Sequence, residues 1–173
     1  MNLDTHQSSY REKLLEHLFV GDLLRYAWLH KNAALEVAGP EVDRAGYDVI
    51  LEADGAIRHV QLKSSSILAS TASQKIHIDL GRKPSGCIVW LHFDPENLEL
   101  GPFRFYGGQP GKPLPPLDGF KVARHVKGNA AGYKAERPHI RVIPKGKFEV
   151  LKTIPEIYQR LFGNVAGVGG TGG

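Results

Sequence analysis

The Asp54-Gly55 pair is the feature that most limits what this chain can fold into. It stands between two runs of period-two hydrophobicity, Asp48-Val49-Ile50-Leu51-Glu52 and Ile57-Arg58-His59-Val60-Gln61-Leu62-Lys63. A type I′ turn needs positive φ at both central residues, and Asp-Gly meets that need with little strain. With those two residues as the loop, cross-strand partners carry numbers that sum to 109. Ala53 then faces Ala56, Val49 faces Val60, and Asp48 faces Gln61. Alternation sets Gln61 and Lys63 on the face of Asp48, and turns Val49, Leu51, Val60 and Leu62 toward a core. Directly opposed Cβ atoms lie about 4.5–5.5 Å apart.

A carboxylate, an amide oxygen and an ammonium on one face suit phosphodiester hydrolysis. Asp48 and Gln61 can hold Mg²⁺ or Mn²⁺ through oxygen, as such cations require. The metal polarises a phosphoryl oxygen and lowers the pKa of bound water, while Lys63 assists that water or the developing charge. The plainer alternative is a surface ion pair between Asp48 and Lys63, with Gln61 an ordinary strand residue. His59 either lines the same site or faces solvent.

Upstream, Ser9 to Lys31 reads as a long helix. Ser8 or Ser9 caps it, with Glu12 completing a capping box. Leu14, Leu15, Leu18, Phe19, Leu23 and Tyr26 supply its apolar face. Ala34–Val37 is a short strand, and Asp43 belongs to a turn. Ser64 to Ser73 reads as loop, and none of its serines has a base at nucleophile spacing. Ile76–Leu80, Gly86–Phe93, Leu98–Tyr106, Arg141–Ile143 and Phe148–Val150 are further strands. Residues 107–116 are Pro/Gly-rich loop, and Pro155–Phe162 is a closing helix with proline at its start.

At 173 residues the chain reads as one domain, residues 1–162, with a flexible glycine-rich tail over 163–173. No apolar run reaches the roughly 20 residues of a membrane span. The polar N-terminus lacks a signal core, so a cytoplasmic protein is expected. Cys87 is alone in an apolar strand and reads as a small buried hydrophobe. The net charge is +4, but eight Lys or Arg against Glu136 give residues 121–147 a net +7. Lys121, Arg124, Lys127, Lys134 and Arg137, interleaved with Tyr133 and two histidines, suit contact with a nucleic-acid backbone. A merely solvated basic face is the alternative.

The run Gly46-Tyr47-Asp48-Val49-Ile50-Leu51, followed by Val60-Gln61-Leu62-Lys63-Ser64-Ser65, resembles the PD-(D/E)xK nuclease superfamily over about residues 10–93. The similarity is to small bacterial members with a Gln-x-Lys motif. It implies an α/β (α+β) restriction-endonuclease-like core: a helix, three meandering strands, a second helix and a further strand, with the site on a hairpin of a central mixed sheet flanked by helices. By resemblance Asp48 and Gln61 are metal ligands, Lys63 is the catalytic lysine, and the helix acid is Glu16 or Asp22. Two departures stand out: Gln61 replaces the commoner acid, and Pro40 is not adjacent to Asp48. The implied activity is a metal-dependent nuclease acting on DNA more than RNA, with a homodimer among the assemblies it allows. The alternative is a catalytically inactive nucleic-acid-binding module on the same fold.

Overall fold

The computed structural model describes residues 3–42 and 46–163, with only the backbone of 3–6. Asp43 and the glycine-rich stretch after Gly163 therefore lie outside the described residues. The fold is α+β: two α-helices, a six-stranded mixed sheet and a three-stranded antiparallel sheet among the described residues. Helix α1 spans Leu3–Tyr26 and runs on as a π-helical turn, Ala27–Lys31. Strands β1 (Glu36–Ala38), β2 (Val49–Ala53) and β3 (Ala56–Ser66) follow as a meander. Next come β4 (Ser73–His77), a 3-10 turn (Ile78–Arg82), β5 (Gly86–Phe93) and β6 (Leu100–Gly107). The chain closes with β7 (Lys121–Arg124), β8 (Glu136–Pro144), β9 (Glu149–Leu151) and α2 (Ile154–Phe162). No described helix is long and apolar enough to cross a membrane.

The hairpin forms in the expected register, from Val49↔Val60 to Ala53↔Ala56, with positive φ at Asp54 (54°) and Gly55 (78°). The large sheet has the order β1-β2-β3-β5-β6-β9, and only β3 and β5 run parallel. Leu15, Phe19 and Leu23 of α1, with Ile157, Tyr158, Leu161 and Phe162 of α2, bury one face of that sheet. Its other face meets Ile76 of β4 and Ile143 of β8, with Leu114, Leu117 and Phe148. Every residue of β5 is buried, which explains its unbroken apolar run.

Several expectations shift. Helix α1 begins six residues before Ser9, so Ser8 and Ser9 lie inside the helix rather than at its cap. A serine inside a helix costs only tenths of a kcal/mol, too little to end the helix there. Leu18 is exposed, which narrows the apolar stripe. Ser64–Ser66, read as loop, continue β3 because β5 pairs with them. The link from β3 to the parallel β5 is β4 and a 3-10 turn rather than an α-helix, and both α-helices pack on one face of the sheet. β7, unforeseen, pairs with a β8 longer than expected. The closing helix is as read, with Thr153 as its cap, accepting from Glu156 N at 3.3 Å.

Arg58 ties the two ends of this fold. Its side chain is fully buried, donating from Nε to Leu161 O (2.7 Å) and from Nη2 to Gly108 O (3.0 Å) and Arg160 O (3.2 Å). Two of these acceptors are carbonyls in the last turn of α2, which lack partners within the helix. Burial lowers the Arg58 pKa, with Arg160 adding to the shift and Cys87 opposing it. Burial likewise pushes the Cys87 thiol up to about 12, the two arginines acting in the other direction. Cys87 is thus an inert core residue. Arg58→Met keeps the length but leaves those carbonyls without donors. It is expected to cost about 2–4 kcal/mol, seen as a lower midpoint in thermal unfolding followed by circular dichroism.

Candidate active site

β3 outruns β2. Its ladder with β2 ends at Val60, whereas its ladder with β5 continues to Ser66. Asp48 occupies the place where β2 stops. Its backbone N donates to Val60 O (2.9 Å), and its Oδ2 accepts from Leu62 N (2.6 Å). In a continued ladder residue 47 would have faced Leu62, so the carboxylate takes over a bond the backbone would have made. Asp48 thus grips β3 on either side of Gln61. The expected direct Asp48–Gln61 ladder pair is replaced by this bracket.

Beyond it lies a pocket of about 500 Å³ over the open edge of β3. Asp48, Gln61, Lys63 and Glu16 all line it, joined by Glu12 and Gln74. By register Gln61 and Lys63 lie beside Ile88 and Trp90, on the face away from α1. Leu62, Ser64 and Leu91, on the α1 face, line the pocket as well. The pocket therefore wraps around the sheet edge, which is how an acid of α1 reaches the neighbourhood of Gln61. Glu16 is mostly buried, 18% exposed, and its Oε2 accepts from Lys13 Nζ at 2.9 Å. Asp22 lies six residues, or about 9 Å, further along the helix. It pairs with Arg25 at 3.4 Å and does not line the pocket. The structure thus brings Glu16, and not Asp22, to the site.

Gln61 Oε1 is buried and accepts no hydrogen bond. A buried amide oxygen without a hydrogen-bond donor, in a pocket with carboxylates, is a hard oxygen donor of the kind a divalent cation takes. Among the described residues no three His, Cys, Asp or Glu side chains stand together as a cation site.

His59 does not line the pocket. Its Nδ1 sits 2.7 Å from Pro84 O and its ring meets Tyr47 edge-on at 5.0 Å. Ser65 is buried with its Oγ accepting from Trp90 Nε1 at 3.0 Å, a structural bond. Glu12, one turn before Glu16 on the same helix face, lines the pocket rather than completing a capping box, since the helix starts well before it. Gln74 had no sequence signal, because only the fold of β4 brings it near.

Lys121 and Arg124 lie on β7, Arg137 on β8, and Lys127 and Lys134 in the loop between, all exposed. Arg124 faces Glu136 across the ladder, 3.6 Å away, so the one acid of the window offsets it. The loop is held by Asn129 Oδ1, which accepts from Ala131 N and Tyr133 N. These strands belong to the small sheet, order β4-β8-β7, whose β4 edge supplies Gln74 to the pocket. Comparison with known protein families, with curated proteins and with solved structures finds no match to this chain.

The bracket around Gln61 separates two variants. Asp48→Ala removes the acceptor for Leu62 N and is expected to destabilise by about 1.5–3 kcal/mol, the range for a hydrogen bond to a charged group. Asp48→Asn keeps an acceptor oxygen and should retain most of that stability. Urea unfolding of both proteins is the check.

Proposed function

We propose that this chain is a metal-dependent nuclease with a restriction-endonuclease-like core, hydrolysing phosphodiester bonds of nucleic acid, DNA in preference to RNA. The observation that carries this reading is the meeting of Glu16, Asp48, Gln61 and Lys63 in one pocket, with the Gln61 amide oxygen buried and unmatched. Asp48 and Gln61 would hold Mg²⁺ or Mn²⁺, with Glu16 or Glu12 contributing from the helix. A cation so bound supplies Lewis acidity toward a phosphoryl oxygen and a more acidic water.

The chain's own groups do the rest. Asp48, pinned to Leu62 N, presents its carboxylate without needing to reorganise. Lys63 stabilises negative charge on the phosphate oxygens, or orients the attacking water. Lys13 fixes Glu16 toward the pocket. The basic β7–β8 hairpin steers and holds the polyanion.

One observation favours a second reading, an inactive nucleic-acid-binding module on the same scaffold: the absence, among the described residues, of any cluster of three His, Cys, Asp or Glu. Gln61→Glu separates the two. A carboxylate of nearly the same length should tighten Mn²⁺ binding in calorimetry and preserve plasmid nicking. Lys63→Met should reduce nicking by at least about 100-fold, the scale of a lost acid–base or positioning group. Full activity in Lys63→Met, after removal of contaminating nucleases, would sink the mechanism. Metal binding by no variant, with nucleic-acid binding retained, would favour the inactive module.

Backbone recognition by the hairpin makes a separate prediction. Replacing Lys127, Lys134 and Arg137 together with Ala should flatten the dependence of log affinity on log salt by about 0.7–0.9 for each phosphate no longer neutralised. An unchanged slope in fluorescence anisotropy would leave the hairpin a solvated face.

A further inference from the structure

The sheet face that carries Lys63 holds a second set of unmatched polar atoms. Register sets Lys63 beside Trp90 on β5, and Trp90 beside Arg104 on β6. Ser65 stands beside His92 in the next row. With strands about 4.8 Å apart, Arg104 lies two strands, or about 10 Å, from Lys63.

His92 is only 6% exposed. Its ring stacks on Trp90, with centroids 5.1 Å apart and planes at 30°. Its Nδ1 lies 3.2 Å from Pro102 O. A carbonyl only accepts, so Nδ1 carries the proton. Nε2 is buried and has no partner, and the same is true of Arg104 Nε. The Lys145 ammonium lies 5.7 Å from the centre of the Trp90 ring. Burial, then Lys145, then Arg104, hold the His92 pKa below its ordinary value against the opposing pull of the Pro102 and Trp90 backbone, and no carboxylate is among the groups acting on it. An unmatched guanidinium N–H, beside an imidazole nitrogen that becomes a donor once the ring is protonated, in a cationic, acid-free setting suits a tetrahedral oxyanion, which offers an oxygen to each.

We propose that His92, Arg104 and Lys145 form a phosphate subsite, and that it takes a phosphate flanking the scissile one on a polynucleotide held at Lys63. The source of the phosphate rests on the nuclease reading above; the anion site does not. On binding, His92 takes a proton from solvent. Its Nε2–H then donates to a phosphate oxygen while Nδ1–H keeps Pro102 O. Arg104 Nε–H donates to a second oxygen, and Lys145 adds its charge. The two standing cations and the newly protonated imidazole are all attracted to the shared anion. Lys145 also connects the sheet face to the basic 121–147 segment, because it directly follows β8.

The test uses inorganic phosphate and a short single-stranded oligodeoxynucleotide, without divalent metal so that nothing is cleaved. Histidine Cε1–H resonances are followed by NMR, and His92→Gln identifies the signal. Phosphate should shift the His92 resonance saturably. Arg104→Gln and Lys145→Gln should each weaken that response by about tenfold, the factor carried by one charge-assisted hydrogen bond. Lys145 is partly exposed, so its variant keeps the test decisive if a more buried one fails to fold. The oligonucleotide should displace phosphate from the site. No shift of His92 at saturating phosphate, or unchanged affinity in Lys145→Gln, overturns the subsite. Phosphate binding without displacement by the oligonucleotide overturns the polynucleotide source and assigns free phosphate. An intact phosphate response in a protein that cleaves nothing once Mg²⁺ or Mn²⁺ is supplied overturns the nuclease reading alone.

Discussion

A mismatch in strand length governs this molecule. β3 has eleven residues and its hairpin partner β2 has five. An unpaired strand edge presents backbone donors and acceptors that must be satisfied or left to solvent. Asp48 satisfies the first of them with its side chain, by accepting from Leu62 N. That one bond ends the hairpin without fraying it and orients the carboxylate along the edge. The edge then becomes a cleft, with α1 bounding it on one side and the small sheet reaching it through Gln74. A β2 two residues longer would have carried the ladder to Leu62 and put backbone where the carboxylate now bonds.

The other strands make that exposed edge tolerable. β5, buried on both faces, lies parallel beside β3 and holds the whole of Gln61–Ser66 in register from the far side. Two separate apolar clusters clamp the sheet, one beneath the helices and one beneath the small sheet. The polar groups of the face opposite the helices thus project from a rigid support, which lowers the reorganisation needed when charge binds.

The parts legible in the sequence were those set by near neighbours. The Asp54-Gly55 turn dictated the register of five residue pairs, because φ at two positions and the length of the loop leave one arrangement. Gly86–Phe93 was legible because burial on both faces demands an unbroken apolar run. Pro155 announced the closing helix. What escaped depended on distant partners. Ser64–Ser66 look like loop until β5 lies beside them, and the polar strands β7 and β8 form only against each other and β4. In the site, Asp48, Gln61 and Lys63 were grouped by the hairpin alone. Choosing Glu16 over Asp22 required knowing how far along α1 the sheet edge falls. The three-stranded cover in place of helices left no trace in local periodicity.

The anchoring of α2 on Arg58 has a consequence for the order in which the chain can mature. The two residues it joins are separated by 103 positions, so the bond closes most of the chain into one loop. During synthesis the hairpin emerges long before its acceptors at Arg160 and Leu161 exist, and until then the guanidinium must remain hydrated. The hairpin can fold locally within microseconds, but its inward face cannot dry until the last helix leaves the ribosome. Completion of the interior is therefore a late, non-local event, with the final turn of α2 as its latch.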